Sequence, residues 1–277
     1  MVFIFALGLF VDTCDRYAKG TERKVNGLSF ARSLDPVWKS PDFIWTLSSL
    51  LLCTVCLIFT SSRAAWGGAI LSSLVFTIYQ GWYLVLAGVT AIGTVILSAA
   101  YAPSPLKEPL RSIVPRYFWA RITDEMYPGR PESITRLSQW NFAWKMTQDR
   151  PITGWGLQSF GSLYQQQTQI WLGYPHNLLL MLTSNLGIPA TVLIFGLVGW
   201  IIAQSTILLF DFPIQWESDR TIFFTFLIAF AGFMIFNIAD VTALELRLNT
   251  HAWLILASLC GLVSRARLPR QRILRAG

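Results

Sequence analysis

Residues 43–60 read FIWTLSSLLLCTVCLIFT, an apolar stretch without a single charge. Coiled as an α-helix at ~1.5 Å per residue it reaches about 27 Å, close to the ~30 Å hydrocarbon core of a bilayer. A polar Ser61-Ser62-Arg63 closes it, and the chain turns apolar again from Ala64 to about Ala102. That second run is too long for one spanning helix, so it divides into a tight hairpin near Gln80-Gly81-Trp82. On the other side, residues 12–41 are polar and hold Arg16, Lys19, Arg23, Lys24, Arg32 and Lys39. Met1 to Phe10 is apolar but too short to span, so it reads as the tail of a longer helix.

Residues 103–175 form the one long polar segment, punctuated at its start by Pro103, Pro105, Pro109 and Pro115. Within it, Thr135 to Gln148 reads as a helix. Leu137, Trp140 and Trp144 fall at i, i+3 and i+7, which predicts one apolar face, and Pro151 ends it. Pro151-Ile152-Thr153-Gly154-Trp155-Gly156 then reads as a turn. Apolar segments return at 177–210, after a short turn before Asn185-Leu186-Gly187-Ile188-Pro189, at 221–239, and at 252–264 as a last short helix. The tail carries Arg265, Arg267, Arg270, Arg272 and Arg275 with no acid.

The expected architecture is all-α. It is a polytopic transmembrane bundle of about seven helices, the first incomplete, with one large extracytoplasmic loop containing short amphipathic helices. Its parts are residues 1–102, 103–175 and 176–277. Composition agrees: 53% of residues are hydrophobic and 13% charged, half the roughly 25% charge of a soluble domain. Twelve Trp and nineteen Phe suit a chain with membrane interfaces.

The net charge of +7 would suggest nucleic acid in a soluble protein. Here the positives sit in loops between apolar stretches, where they act as topology signals and lipid-phosphate contacts, so no nucleic-acid partner is expected. Cys53 and Cys56 form a C-x-x-C inside an apolar stretch, where small packing residues are the better reading than a redox or metal pair.

Orientation follows from the basic segments. The 12–41 segment has six positives and the tail five, so both are expected inside. Counting spans between them puts Ser61 to Arg63, the 103–175 loop and residues 240–250 on the opposite, outer face. Arg63, the large loop and His176 then share one side of an inner (plasma) membrane.

Three residues there could carry chemistry. Arg63 meets the surface with Trp66 beside it. It reads either as a snorkelling arginine with an aromatic anchor or as a guanidinium that grips a phosphate. Arg136 opens the loop helix one turn before Trp140 and reads as a solvated helix-face charge interacting with its aromatic neighbour. His176, in Tyr174-Pro175-His176-Asn177, stands where the loop re-enters the membrane. A structural hydrogen-bonding role is the ordinary reading of a lone histidine. At a helix N-terminus, whose positive potential disfavours imidazolium, a neutral ring can instead take a proton as a general base. Arg150 and Asp240 are possible accessory residues. With His251 as the only other histidine, the set makes a poor metal site, and no metal or cofactor is expected. Gly154-Trp155-Gly156 lacks the strand, helix and third glycine of a dinucleotide loop.

Three stretches in order resemble the O-antigen ligase and polymerase family of membrane proteins. They are Thr60-Ser61-Ser62-Arg63 with Trp66; Arg136 to Trp140 running into Asp149-Arg150-Pro151-Ile152-Thr153-Gly154-Trp155-Gly156; and His176-Asn177 with a leucine-rich helix closed by Asn185-Leu186-Gly187-Ile188-Pro189. The ending Asp240-Val241-Thr242 through Arg247-Leu248-Asn249-Thr250 is similar to a cyanobacterial branch named for bicarbonate transport. The resemblance spans nearly all of this chain but only the C-terminal half to two-thirds of a typical member, so helices upstream of Met1 are expected in a full-length parent.

The resemblance implies transfer of a glycan from a polyprenyl diphosphate carrier to an acceptor glycan or lipid hydroxyl, without metal. It implies diphosphate binding by Arg63 and Arg136 and catalysis by His176. The branch name implies the competing reading, inorganic carbon transport or accumulation. An inactive truncated relative is a third. Transport needs polar groups near the bilayer midplane or broken, repeated helices, whereas the charges here cluster at one face. The ligase reading is therefore preferred.

Overall fold

The computed structural model describes residues 1–22, 40–60, 62–123, 125, 135–243 and 245–275, and the described residues contain helices and no strand. In chain order the helices are α1 (Val2–Glu22), α2 (Pro41–Phe59), α3 (Arg63–Tyr79), α4 (Tyr83–Tyr101), α5 (Lys107–Ile113), α6 (Arg116–Ile122), α7 (Arg136–Asp149), α8 (Ser159–Thr168), α9 (Leu178–Leu186), α10 (Ile188–Phe210), a 3₁₀ turn over Ile214–Asp219, α11 (Arg220–Ala239) and α12 (Leu246–Arg275). Most of the basic 12–41 segment lies outside the described residues, as do the side chains of the tail beyond Ala266.

Among the described residues, four segments are long and apolar enough to cross a membrane: Pro41–Phe59, Ile188–Phe210, Trp216–Ile238 and Leu246–Ala266. Against the expected seven, α3 and α4 contribute shorter apolar runs, Ala65–Tyr79 and Leu86–Tyr101, and α1 turns polar at Asp12. The hairpin between α3 and α4 turns at Gln80–Trp82, as the length of the apolar run requires.

α11 is the axis of the bundle. Half of its spanning window is buried, against 6% for α2, which faces outward along most of its length. Phe76 of α3, Ile201 of α10, Phe230 of α11 and Leu259 of α12 close around Val11 of α1 in one apolar core. Such burial is non-directional, so polar contacts fix the register. At one end the Asp15 carboxylate accepts from Gln80 Nε2 at 2.8 Å and from the Thr221 hydroxyl at 3.1 Å, joining α1, α3 and α11.

Two boundaries differ from the sequence reading. α1 continues through the polar residues after Asp12, helped by an i, i+4 pair in which Arg16 Nε donates to Asp12 at 2.7 Å. α12 begins at Leu246 and runs to Arg275, rather than spanning 252–264. Hydropathy marks where a helix enters lipid, and the backbone stays helical beyond it.

The 103–175 segment has two separate attachments. α5 and α6 cover the end of α4, where Ala99, Ala100, Val114, Trp119 and Ala120 form a small core. Arg111 secures it: Nε donates to the Ala99 carbonyl at 3.1 Å, the guanidinium lies 3.8 Å from the Trp119 ring, and Nη2 meets Glu125 at 2.8 Å. α7 and α8 instead bed on α9.

The predicted apolar face of α7 is not its buried face. Leu137 and Trp144 are 67% and 50% exposed, while Gln139, Ala143, Met146 and Thr147 are buried. Small and hydroxyl side chains let α7 lie close on α9, with the hydroxyls of Thr147 and Thr183 3.1 Å apart. That bonded pair decides the face over apolar periodicity.

Candidate functional site

The site grows from the first turn of α9. Asn177, extended at φ −154°, caps the helix by accepting from Leu180 N–H at 3.0 Å. Its Nδ2 donates at the same time to the Ile238 carbonyl at 3.0 Å. One buried side chain thus starts α9 and clamps it to the last turn of α11. His176, just before it, adopts φ +49°, a region uncommon for residues other than glycine and often found at functional sites. Fully buried Pro175 precedes it, and the Tyr174 ring stands edge-on at 4.9 Å from the imidazole.

Two residues past Ile238, Asp240 leaves α11 in extended backbone and places Oδ1 2.8 Å from His176 Nδ1. The same oxygen accepts from Val241 N–H at 2.8 Å. Buried Asn237 steadies this corner, because its Oδ1 accepts from Ala243 N–H at 3.0 Å. The hydrogen bond from His176 holds the Asp240 carboxyl below its ordinary range against the opposing effect of burial. Val241 N–H and the positive charge of Arg136 act in the same direction. A carboxylate only accepts, so Nδ1 carries the proton, and Nε2 of a neutral ring is left with its lone pair.

Arg136 is the first residue of α7, behind a Thr135 hydroxyl that accepts from Ser138 N–H at 3.4 Å. It is exposed and close enough to act on Asp240. Arg136 starts α7 and acts on Asp240, which is bonded to His176 just ahead of α9, so the N-termini of α7 and α9 lie toward the same end. Both helix ends add positive potential to the neighbourhood of His176.

Arg63 opens α3, capped by Ser62 accepting from Ala65 N–H at 3.3 Å; its own side chain lies outside the described residues. A largely apolar cavity of about 380 Å³ lies at this end of α3. Thr60 and Ala65 line it on one side and Thr242 on the other. The start of α3 and the residue two places after Asp240 therefore face the same space.

Arg150 is not brought to this group. It ends α7, about 20 Å from Arg136 at ~1.5 Å per residue, with its guanidinium 4.1 Å from the Trp155 ring. His251 also stays apart, its Nδ1 2.5 Å from the Arg247 carbonyl one turn earlier in α12. Among the described residues no three His, Cys, Asp or Glu side chains gather in a way that could hold a metal ion.

The sequence reading placed Asp240 only as an accessory and missed Asn177 and Asn237. Asn177 was visible as an N-cap ahead of Leu178-Leu179-Leu180. No local signal announces that it also reaches α11, 61 residues away.

The sequence model of a family described as O-Antigen ligase matches residues 48–195, just over half of the chain. The matched region runs from within α2 to the first turns of α10 and contains Arg63, Arg136 and His176; Asp240 lies beyond it. No curated protein matches the chain.

Proposed function

The chain belongs to the O-antigen ligase family, an integral membrane protein, and we propose that it moves a glycan from a polyprenyl diphosphate carrier to an acceptor hydroxyl without a metal ion. The observation that carries this reading is the 2.8 Å contact of His176 Nδ1 with Asp240, under the charge of Arg136.

In the proposed step the acceptor hydroxyl gives its proton to His176 Nε2. Its oxygen attacks the anomeric carbon, and the bond from that carbon to the diphosphate oxygen breaks, with the electron pair leaving on the diphosphate. Asp240 keeps Nε2 directed at the acceptor and stabilises the imidazolium that forms. Arg136 and Arg63 bind the diphosphate and stabilise its growing charge, in the place a divalent cation would otherwise fill. The basic segments support an outer-facing site on the inner membrane. That sidedness suits a carrier whose diphosphate lies at the membrane surface.

The test is transfer from a polyprenyl diphosphate glycan by the full-length protein in detergent, beside bicarbonate flux in liposomes. Transfer abolished by His176→Ala is the expected result. Flux without transfer, undisturbed by His176→Ala, overturns the proposal in favour of carbon transport. A cysteine placed near Glu132 that labels only after cell lysis overturns the outward face.

A further inference from the structure

The turn from Arg150 to Leu157 plays no part in the proposed transfer, yet it is among the most tightly fixed loops described. Ile188 N–H donates to the Pro151 carbonyl at 2.7 Å, Trp155 N–H to Ser184 at 2.9 Å, and Gly156 N–H to Asn185 at 3.0 Å. These bonds fasten it to the junction where α9 ends and α10 begins. The contact needs glycine on both sides. A Cβ on Gly154 would stand 2.4 Å from the Asn185 carbonyl, and one on Gly187 would stand 2.1 Å from the Ile152 carbonyl oxygen. Both glycines also have φ in the left-handed half, at +64° and +84°.

This rigidity presents apolar side chains outward. Ile152 and Leu157 are each 73% exposed. Isolated exposed aliphatics mean little on most surfaces. These two sit beside Ile188, the first residue of a membrane-spanning helix, so their level relative to the bilayer is set. Further along α10, Val192 and Leu193 are 62% and 74% exposed. Between Ile152 and Leu157 in sequence, the Trp155 indole is locked by its Nε1 donating to the Met146 carbonyl at 2.8 Å, and Arg150 lies over its face. An aromatic ring with a cation on it, in one turn with exposed aliphatic side chains at the start of a span-length helix, has the chemistry of a bilayer interface.

We propose that the Arg150–Leu157 turn is a membrane-surface anchor. Ile152 and Leu157 insert into the acyl chains of the leaflet at which α10 begins, and the Arg150 guanidinium takes a phospholipid phosphate. The occupant is the bilayer, because backbone bonding fastens the turn to Ile188, where a helix long and apolar enough to cross a membrane begins. α9 runs from this junction to His176 and α7 from Arg150 to Arg136, so the anchor fixes the depth of the candidate site relative to the membrane surface. The anchor stands apart from the transfer reading; only this consequence rests on it.

The test uses the full chain reconstituted in vesicles of mixed zwitterionic and anionic phospholipid. Cys14, Cys53, Cys56 and Cys260 are replaced by serine, and a nitrobenzoxadiazole label is carried by Ile152→Cys or, as control, by Gln166→Cys on the exposed side of α8. Lipids with a nitroxide at the top of the acyl chain are expected to quench the label at 152 several-fold more than that at 166. Equal quenching, with aqueous iodide reaching position 152 as readily as 166, overturns the anchor. Should the cysteine-free chain fail to fold, a photo-crosslinking phenylalanine at 152 in the otherwise natural sequence replaces the label. Adducts with radiolabelled phospholipid are then expected from 152 and not from 166, and their absence at 152 overturns the proposal. Neither readout depends on glycan transfer, so failure of the transfer reading leaves this result interpretable.

Discussion

The two ends of α7 each carry an arginine, and the two are held in opposite ways. At the N-terminal end Arg136 is exposed, and its charge falls on a carboxylate already engaged by His176. At the C-terminal end Arg150 lies flat on Trp155, in a turn closed by glycines and backbone hydrogen bonds. The helix dipole reinforces the contrast, since a cation at the N-terminus is disfavoured and one at the C-terminus is favoured. The left-handed backbone of His176, φ +49°, adds strain of order 1–3 kcal/mol at the first end. Destabilised groups held in place by Asn177 and Asn237 suit a place that must receive an anion. Groups relieved locally suit a place that must not move.

The strongest way to break this contrast is to remove the proposed base. His176→Ala is expected to lower transfer by about 10⁴-fold, the upper range of a positioned general base, while the protein stays inserted. Asp240→Asn should follow with a loss of about 10²-fold or more, because the ring loses the partner that fixes its tautomer. Single-turnover transfer in detergent reads both. Full activity in Asp240→Asn would leave the 2.8 Å contact without a catalytic role.

Arg136→Ala comes next. In the proposed transfer, losing one donor to the developing anion is expected to lower turnover by about 10²–10³-fold. Arg136→Lys should recover only part of it, because an ammonium keeps the charge but lacks the planar fork. Complete rescue by lysine would reduce Arg136 to a point charge.

A smaller effect separates the ends by pH. The Asp240 carboxyl is held below its ordinary range, first by the His176 hydrogen bond. A depressed carboxyl contributes stability above its unfolded pKa, ~3.9 for Asp. That contribution disappears as pH falls through the lower folded value. Natural protein in detergent should therefore melt above Asp240→Asn at pH 6, and the two should converge as pH falls below about 4. A gap that persists unchanged at low pH would show that the asparagine disturbs packing instead.

Much of the molecule was legible in order along the chain. The stretch 43–60 gave α2, the overlong run after Ala64 demanded the turn at Gly81, and Asn185 to Pro189 marked the α9–α10 break. These are local facts about hydropathy and backbone. The buried face of α7 was misread because period counting assumes that apolar residues turn inward, whereas lipid or an interface receives Leu137 and Trp144 equally well. Arg150 stands inside one of the motif stretches in sequence, yet one helix length separates it from Arg136 in space. The His176–Asp240 contact, 64 residues apart, had no local trace beyond two polar residues on the same expected side of the membrane.

The smallest effect tests the quiet end directly. Arg150 touches the face of Trp155 and is otherwise open to its surroundings, so Arg150→Ala removes a cation–π contact worth about 0.5–1 kcal/mol at an exposed site. The turn itself should persist, because Trp155 remains tied to the Met146 carbonyl and the backbone bonds to Ser184, Asn185 and Ile188 do not involve the arginine side chain. Transfer by Arg150→Ala in detergent is expected within about twofold of the natural protein, since the guanidinium stands about 20 Å from Arg136 along α7. In anionic vesicles the same substitution should lower thermal stability by slightly more than in detergent, because the phosphate contact is lost as well. Measuring both variants in both media makes the result decisive. A loss of transfer in detergent comparable to that of Arg136→Ala would mean that the two ends of α7 act on one substrate, and the contrast between them would fail.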